Sequence, residues 1–203
     1  MIKCNVTVCG VIGRDASIRT NKEGKTFLVF PLRVMIPDTD GKTLPIEVDV
    51  SKDTAGEEVS NYRNGSRVEV SGTMYLKHRG DKLYFNLFIN EIRTATADMK
   101  DMVKGELVFR GKVGQHIEEK RDKKDQPYTM FSAFSTEKVE DGFEYQWVRF
   151  FCFGKEREAW LQPGVRVDAK GEISLSAYNG KLNVSCKVEE LVQYVADSSN
   201  SNQ

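Results

Sequence analysis

The chain repeats itself once. Val6 to Gly13 reads V-T-V-C-G-V-I-G, and Leu107 to Gly114 reads L-V-F-R-G-K-V-G, an apolar strand with glycines in the same two places. Phe27–Leu32 (F-L-V-F-P-L) corresponds to Tyr128–Ala133 (Y-T-M-F-S-A). N-G-S-R-V-E-V-S-G at Asn64–Gly72 corresponds to P-G-V-R-V-D-A-K-G at Pro163–Gly171, and each half closes on a hairpin, Leu83–Ile92 and Leu182–Leu191. The offset stays near about 100 residues, the size of a small domain rather than of a solenoid repeat. The 203 residues therefore divide into a first domain at 1–93, a polar linker at 94–104 and a second domain at 105–195. Residues 196–203, A-D-S-S-N-S-N-Q, have the composition of a disordered end.

Each half reads as strands. In the second, strands are expected over Glu106–Val113, Tyr128–Thr136 and Tyr145–Lys155. Lys155–Leu161 (K-E-R-E-A-W-L) has helix formers with apolar spacing, stopped by Pro163-Gly164. Strands resume at Val165–Leu175 and Leu182–Val188, joined by a type I′ turn at Asn179-Gly180. The first half has the same order, with Asp53–Tyr62 as its helix and Arg79-Gly80-Asp81 as its last turn. Three strands, a short helix and two strands is the layout of the OB-fold, a five-stranded Greek-key barrel. The expected class is all-β, with two such barrels in tandem.

Read with period two, Tyr145–Lys155 has two unlike faces. Val148, Phe150 and Cys152 suit a packed interior, whereas Tyr145, Trp147, Arg149, Phe151 and Phe153 point the other way. A half-buried strand usually carries polar groups there. Accessible rings can stack on bases, and an arginine among them can meet phosphate or stack as a cation–π partner. The same strand in the first half, Pro45–Val50, puts Glu47 and Asp49 on that face. The barrel itself therefore does not demand rings, and those of the second copy read as a ligand surface.

Composition narrows the classes. Lys plus Arg and Asp plus Glu are both 30, so no basic coat exists, although a local stripe suffices for phosphate. No run of about 18 apolar residues predicts a membrane span. The opening M-I-K-C-N-V has no apolar signal core, so a cytoplasmic location is expected. Cys4, Cys9, Cys152 and Cys186 lack C-x-x-C spacing, and His78 and His116 complete no zinc set; the cysteines read as small core residues. No catalytic signature surrounds any nucleophile. Neither an enzyme nor a cofactor is expected.

Trp147-Val148-Arg149-Phe150-Phe151-Cys152-Phe153-Gly154-Lys155 resembles the third strand of the bacterial single-stranded DNA-binding protein family, including its F-G-K end. Gly111–Gly114 is similar to the family's first-strand G-x-x-G, and Pro163–Gly171 to the segment after its helix. The resemblance covers residues 106–191 nearly end to end. It implies sequence-independent capture of single-stranded DNA by stacking, in replication, recombination or repair. By position, Trp147 and Phe153 match two of the family's stacking rings. Tyr178, seven residues past Gly171, falls where the family often has a tryptophan. Phe143 lies in the strand 2–3 hairpin, a looser match, and Tyr145 adds a ring to the same face. Arg149, Arg110 and Lys112 are the charges expected along the backbone, since Arg110 and Lys112 share the first strand's polar face. Stacking does not distinguish sugars, so RNA stays open as a ligand.

The first half departs from that pattern. Glu47 and Asp49 repel phosphate, and Arg79 stands where an aromatic would. Tyr75, Tyr84 and Phe88 offer either another stacking surface or, the preferred reading, core or interface packing. This domain keeps the fold with a weakened DNA face and is a candidate for assembly. The family usually presents four OB domains together, so a homodimer is expected. It also often ends in an acidic tail with a terminal Pro-Phe that recruits partners; Ser198–Gln203 has neither, so that recruitment is not expected. The other reading is a primosome-like protein-interaction module with weak or no nucleic-acid binding, which Glu47, Asp49 and the neutral charge favour.

Overall fold

The computed structural model describes residues 2–39, 41–54, 56, 58–80, 82–140, 142–154 and 156–195. Among the described residues, eleven strands form one continuous, twice-closed sheet. The first half contributes β1 (Ile2–Ile12), β2 (Ser17–Thr20), β3 (Thr26–Pro37), β4 (Thr43–Asp53), β5 (Arg67–Arg79) and β6 (Lys82–Thr94). The second contributes β7 (Met102–Arg121), β8 (Pro127–Val139), β9 (Gly142–Phe153), β10 (Arg166–Tyr178) and β11 (Lys181–Gln193). In the first half β1 pairs with β3 and β5, β3 with β4, β4 in parallel with β6, and β6 with β5. In the second half β7 pairs with β8 and β10, β8 with β9, β9 in parallel with β11, and β11 with β10. Each is a closed five-stranded barrel of OB topology, with its edges removed by pairing.

Alternation sets the inside of both. Phe131, Ala133, Val148 and Phe150 are buried in the second barrel, where Phe150 packs 4.9 Å from Phe109 and 5.2 Å from Phe131. Phe30, Leu32, Val48 and Val50 take the matching places in the first. The repeated glycines sit where the wall must bend. The β5–β6 ladder slips at Ser71/Gly72 and the β10–β11 ladder at Lys170/Gly171. A Cβ on Gly72 would lie 2.1 Å from the Phe88 carbonyl oxygen, and one on Gly171 2.1 Å from that of Lys187. No side chain fits there, so glycine is what lets the bulged strand close the barrel.

Two expectations are corrected. Among the described residues of the helix expected over Asp53–Tyr62 there is a 3-10 turn at Val59–Asn61, because β4 runs through Asp53 and Gly56 has φ +103°. The helix expected over Lys155–Leu161 is absent among the described residues. Gly154 (φ +72°) and Pro163 leave few residues to offset nucleation, and the segment makes a turn that places Leu161 in the buried core. The Arg157 Nε donates to the Leu161 carbonyl at 2.8 Å, doing in part what a helix ladder would. The I′ turn is present, with Asn179 and Gly180 at φ +50° and +71°. The segment 94–104 begins on the last residue of β6 and ends inside β7, whose Met102–Val108 pairs antiparallel with β1 over Cys9–Lys3. The 196–203 tail lies outside the described residues, as do Asp81 of the β5–β6 turn and Lys155 of the F-G-K end.

Candidate nucleic-acid interface

The outer face of β9 carries Phe143, Tyr145, Trp147, Arg149, Phe151 and Phe153, while Val148 and Phe150 between them are buried. Trp147 is 50% exposed, Tyr145 48% and Phe153 46%, so these rings are available on one side. Their other side rests on protein. Phe134 of β8 pairs across from Trp147, its ring centroid 4.8 Å away and tilted 52°, and meets Tyr145 edge-on at 5.5 Å. Tyr128 stacks on Phe153 at 5.2 Å, and Phe151 lies parallel to Phe153 at 6.1 Å. Phe134 and Tyr128 were missed as part of this surface. Their signal was in the sequence: Tyr128, Met130, Ser132 and Phe134 share a period-two face of β8 that the register brings beside β9.

The indole also lies over a glycine. A Cβ on Gly114 would come within 3.0 Å of the Trp147 ring and 3.1 Å of the Ser132 carbonyl oxygen. The second glycine of the repeated G-x-x-G thus makes room for Trp147 to lie against backbone. In the first barrel the same glycine, Gly13, has only Pro31 near it, at 3.6 Å.

Tyr145, Trp147, Arg149 and Tyr178 border a cleft of about 1460 Å³ shared by the two barrels. Tyr178 stands 58% exposed at the tip of the β10–β11 hairpin. The first barrel contributes Glu47, Asp49 and Tyr84 to the same cleft. Arg149 has no ion-pair partner among the described residues; nearby Glu118 is tied to Lys120 at 2.6 Å, which holds its carboxyl below the usual range. Lys181 also borders the cleft, and exposed Lys187 pairs across from Phe151.

The other residues singled out from sequence are placed elsewhere. Phe143 is 58% exposed at the start of β9, and Phe153 at its far end is outside the cleft. Lys112 lies on the outer face of β7 opposite Phe134. Arg110 borders a separate, smaller hollow, where its Nε and Nη2 donate to both Asp168 carboxylate oxygens at 2.6 and 2.7 Å and its guanidinium sits 4.2 Å from the Tyr194 ring centre. Its charge is engaged within the protein rather than presented beside the rings.

Hairpins from each barrel reach the other. The Gly180 N–H donates to Asp38 Oδ2 at 3.2 Å, and the Gly80 N–H to Glu144 Oε1 at 3.1 Å. His78 Nδ1 lies 3.1 Å from Glu144 Oε2, so the Glu144 carboxyl is held below its ordinary value, first by His78 and then by the Gly80 amide. Each contact joins a turn amide of one barrel to a carboxylate of the other, and together they set the two sides of the cleft against each other. Arg67 pairs with Asp101, whose Oδ2 also accepts from the Met35 amide at 2.7 Å.

Cys4, Cys9 and Cys186 are buried core residues, and burial pushes the Cys4 and Cys186 thiols up to about 12. Among the described residues no group of His, Cys, Asp and Glu could hold a metal ion, and no helix is long and apolar enough to cross a membrane.

No protein-family model matches the chain, and no curated protein matches it. Among solved structures it is similar to the wild-type single-stranded DNA binding protein from Thermus aquaticus, at 11% identity and a TM-score of 0.46 over 100% of this chain and 97% of that one. It is similar to the small single-stranded DNA-binding protein from Streptomyces coelicolor, at 11% identity and a TM-score of 0.38 over 47% of this chain and 98% of that one. It is also similar to the N-terminal domain of PriB from Thermoanaerobacter tencongensis, at 22% identity and a TM-score of 0.32 over 45% of this chain and 97% of that one.

Proposed function

We propose that this chain binds single-stranded DNA without sequence preference, by stacking bases on the outer face of β9, and that it serves DNA replication, recombination or repair. One observation carries the reading. Tyr145, Trp147 and Phe153 stay half exposed on a sheet face where the repeated barrel places Glu47 and Asp49. A contiguous strip of half-exposed rings marks an interaction surface, and flat rings set beside an arginine suit stacked bases and their phosphates.

Phe134 and Tyr128 hold Trp147 and Phe153 from behind, which leaves the free ring faces ordered before a base arrives. Each base–ring stack contributes roughly 1–3 kcal/mol and accepts any base. Arg149, Lys181 and Lys187 meet phosphates alongside the rings. Releasing counterions at about three phosphates gives a slope near −2 in log affinity against log salt.

Titration with oligo-dT tests this. Binding quenches Trp147 fluorescence, and Trp147→Ala weakens affinity by at least about fivefold, the low end of one lost stack. Unchanged affinity in that variant would sink the stacking assignment. Absence of binding at moderate salt would leave the protein-interaction reading in its place. A parallel titration with oligo-U measures the preference between sugars.

A further inference from the structure

We infer that the first barrel's side of the cleft docks a partner protein, through an extended segment that carries arginine at alternate positions. This surface is separate from the rings of β9 and does not depend on what they bind. Asp49 of β4 pairs in parallel with Asn86 of β6, and Glu47 and Tyr84 are the preceding outward residues of the same two strands. Tyr84 and Phe88 are 41% and 40% exposed, which rules out core packing and favours the interface role among those expected for them. Glu47 and Asp49 are exposed as well, and among the described residues neither has an ion pair. Arg33 lies across from Glu47 and Lys82 begins β6, yet neither is ion-paired with these carboxylates.

The molecule itself shows twice what a ring beside a carboxylate holds. Lys25 Nζ lies 2.7 Å from an Asp53 carboxylate oxygen and 5.4 Å from the Phe27 ring centre. Arg110 is held between Asp168 and the Tyr194 ring. In both places a cation gains from the ion pair and from the ring's negative face together. Glu47, Asp49 and Tyr84 present the same parts to the cleft. Nucleic acid is repelled there by its own phosphates, and an apolar segment would bury two carboxylates without partners. A cationic segment satisfies both charges. Arginine suits this surface better than lysine, because a planar guanidinium both stacks on a ring and grips a carboxylate with two hydrogen bonds. Spacing gives the segment its form. Glu47 and Asp49 stand two residues apart on one strand face, roughly 7 Å, which is the pitch at which an extended chain presents alternate side chains.

The probe is a fluorescein-labelled peptide of alternating arginine and serine, titrated with the full-length protein without nucleic acid and followed by anisotropy. The parent binds it, and Glu47→Gln/Asp49→Asn loses at least about fivefold in affinity. Tyr84→Ala loses about threefold. Glu172→Gln/Glu189→Gln removes the same charge from exposed positions of β10 and β11 outside the cleft, and binds as the parent does. An isomeric peptide with its arginines in one block binds the parent more weakly. No binding by the parent, or equal affinities for the parent and Glu47→Gln/Asp49→Asn, would overturn the inference. Equal losses in the two charge variants would do the same, since they would reduce the effect to overall charge. Equal affinity for the two peptides would overturn the extended, alternating form. With no oligonucleotide present, these outcomes and those of the oligo-dT titration are independent of one another.

Discussion

Where Phe134 of β8 meets Trp147 of β9, the first barrel has Arg33 of β3 opposite Glu47 of β4. One step along, Ser132 opposite Arg149 becomes Pro31 opposite Asp49, and further on Tyr128 opposite Phe153 becomes Phe27 opposite Asp53. Between these positions the inward residues stay apolar in both barrels, Ala133 and Val148 against Leu32 and Val48. The comparison separates two tasks. Inward side chains and bulge glycines build the barrel, and the outer face is free to vary. In the second barrel that freedom carries an aromatic surface, and in the first a carboxylate one.

The largest effect is expected where the barrels are alike. Gly72→Ala and Gly171→Ala each drive a Cβ into a backbone carbonyl and should cost about 3 kcal/mol or more in denaturant unfolding. If one is tolerated and the other not, the two corners are not equivalent. Next comes the outer face. Trp147→Glu gives the second barrel the side chain of the first and should weaken oligo-dT binding more than Trp147→Ala, by roughly 100-fold, with the melting temperature nearly unchanged. A loss no greater than that of alanine would show that charge on this face does not matter.

A smaller effect marks an asymmetry. Arg67 is paired with Asp101 from the connecting segment, whereas Arg166, at the matching start of β10, has no ion pair among the described residues. Asp101→Ala should therefore cost about 2 kcal/mol by leaving a part-buried guanidinium unpaired, and Arg166→Ala within about 0.5 kcal/mol. Equal costs would erase that distinction. The smallest effect concerns the reciprocal hairpin contacts. Glu144 is held below its ordinary value of 4.5, so its contribution is present above that pH and lost as pH falls through the depressed value. Thermal melts from pH 6 to pH 3 should decline less steeply for Glu144→Gln than for the parent; identical slopes would remove Glu144 from the acid response.

Much of this was legible in one dimension. Two copies at matched spacing, glycines at the same places and strict alternation determine two barrels with a known inside, because strand period and bulge chemistry are local properties. They also determine that Trp147 and Glu47 occupy the same face of the same strand. The short helices were misread because apolar spacing says nothing about how few residues Gly154 and Pro163 leave between them. Only the tertiary structure decided that Phe134 and Tyr128 complete the ring surface, that Asp168 takes the charge of Arg110, and that Gly114 makes room for the indole. It alone set β1 against β7, so that the carboxylates of one barrel and the rings of the other border one cleft. Those outcomes depend on pairing between residues far apart in sequence, which the pattern within any one strand cannot specify.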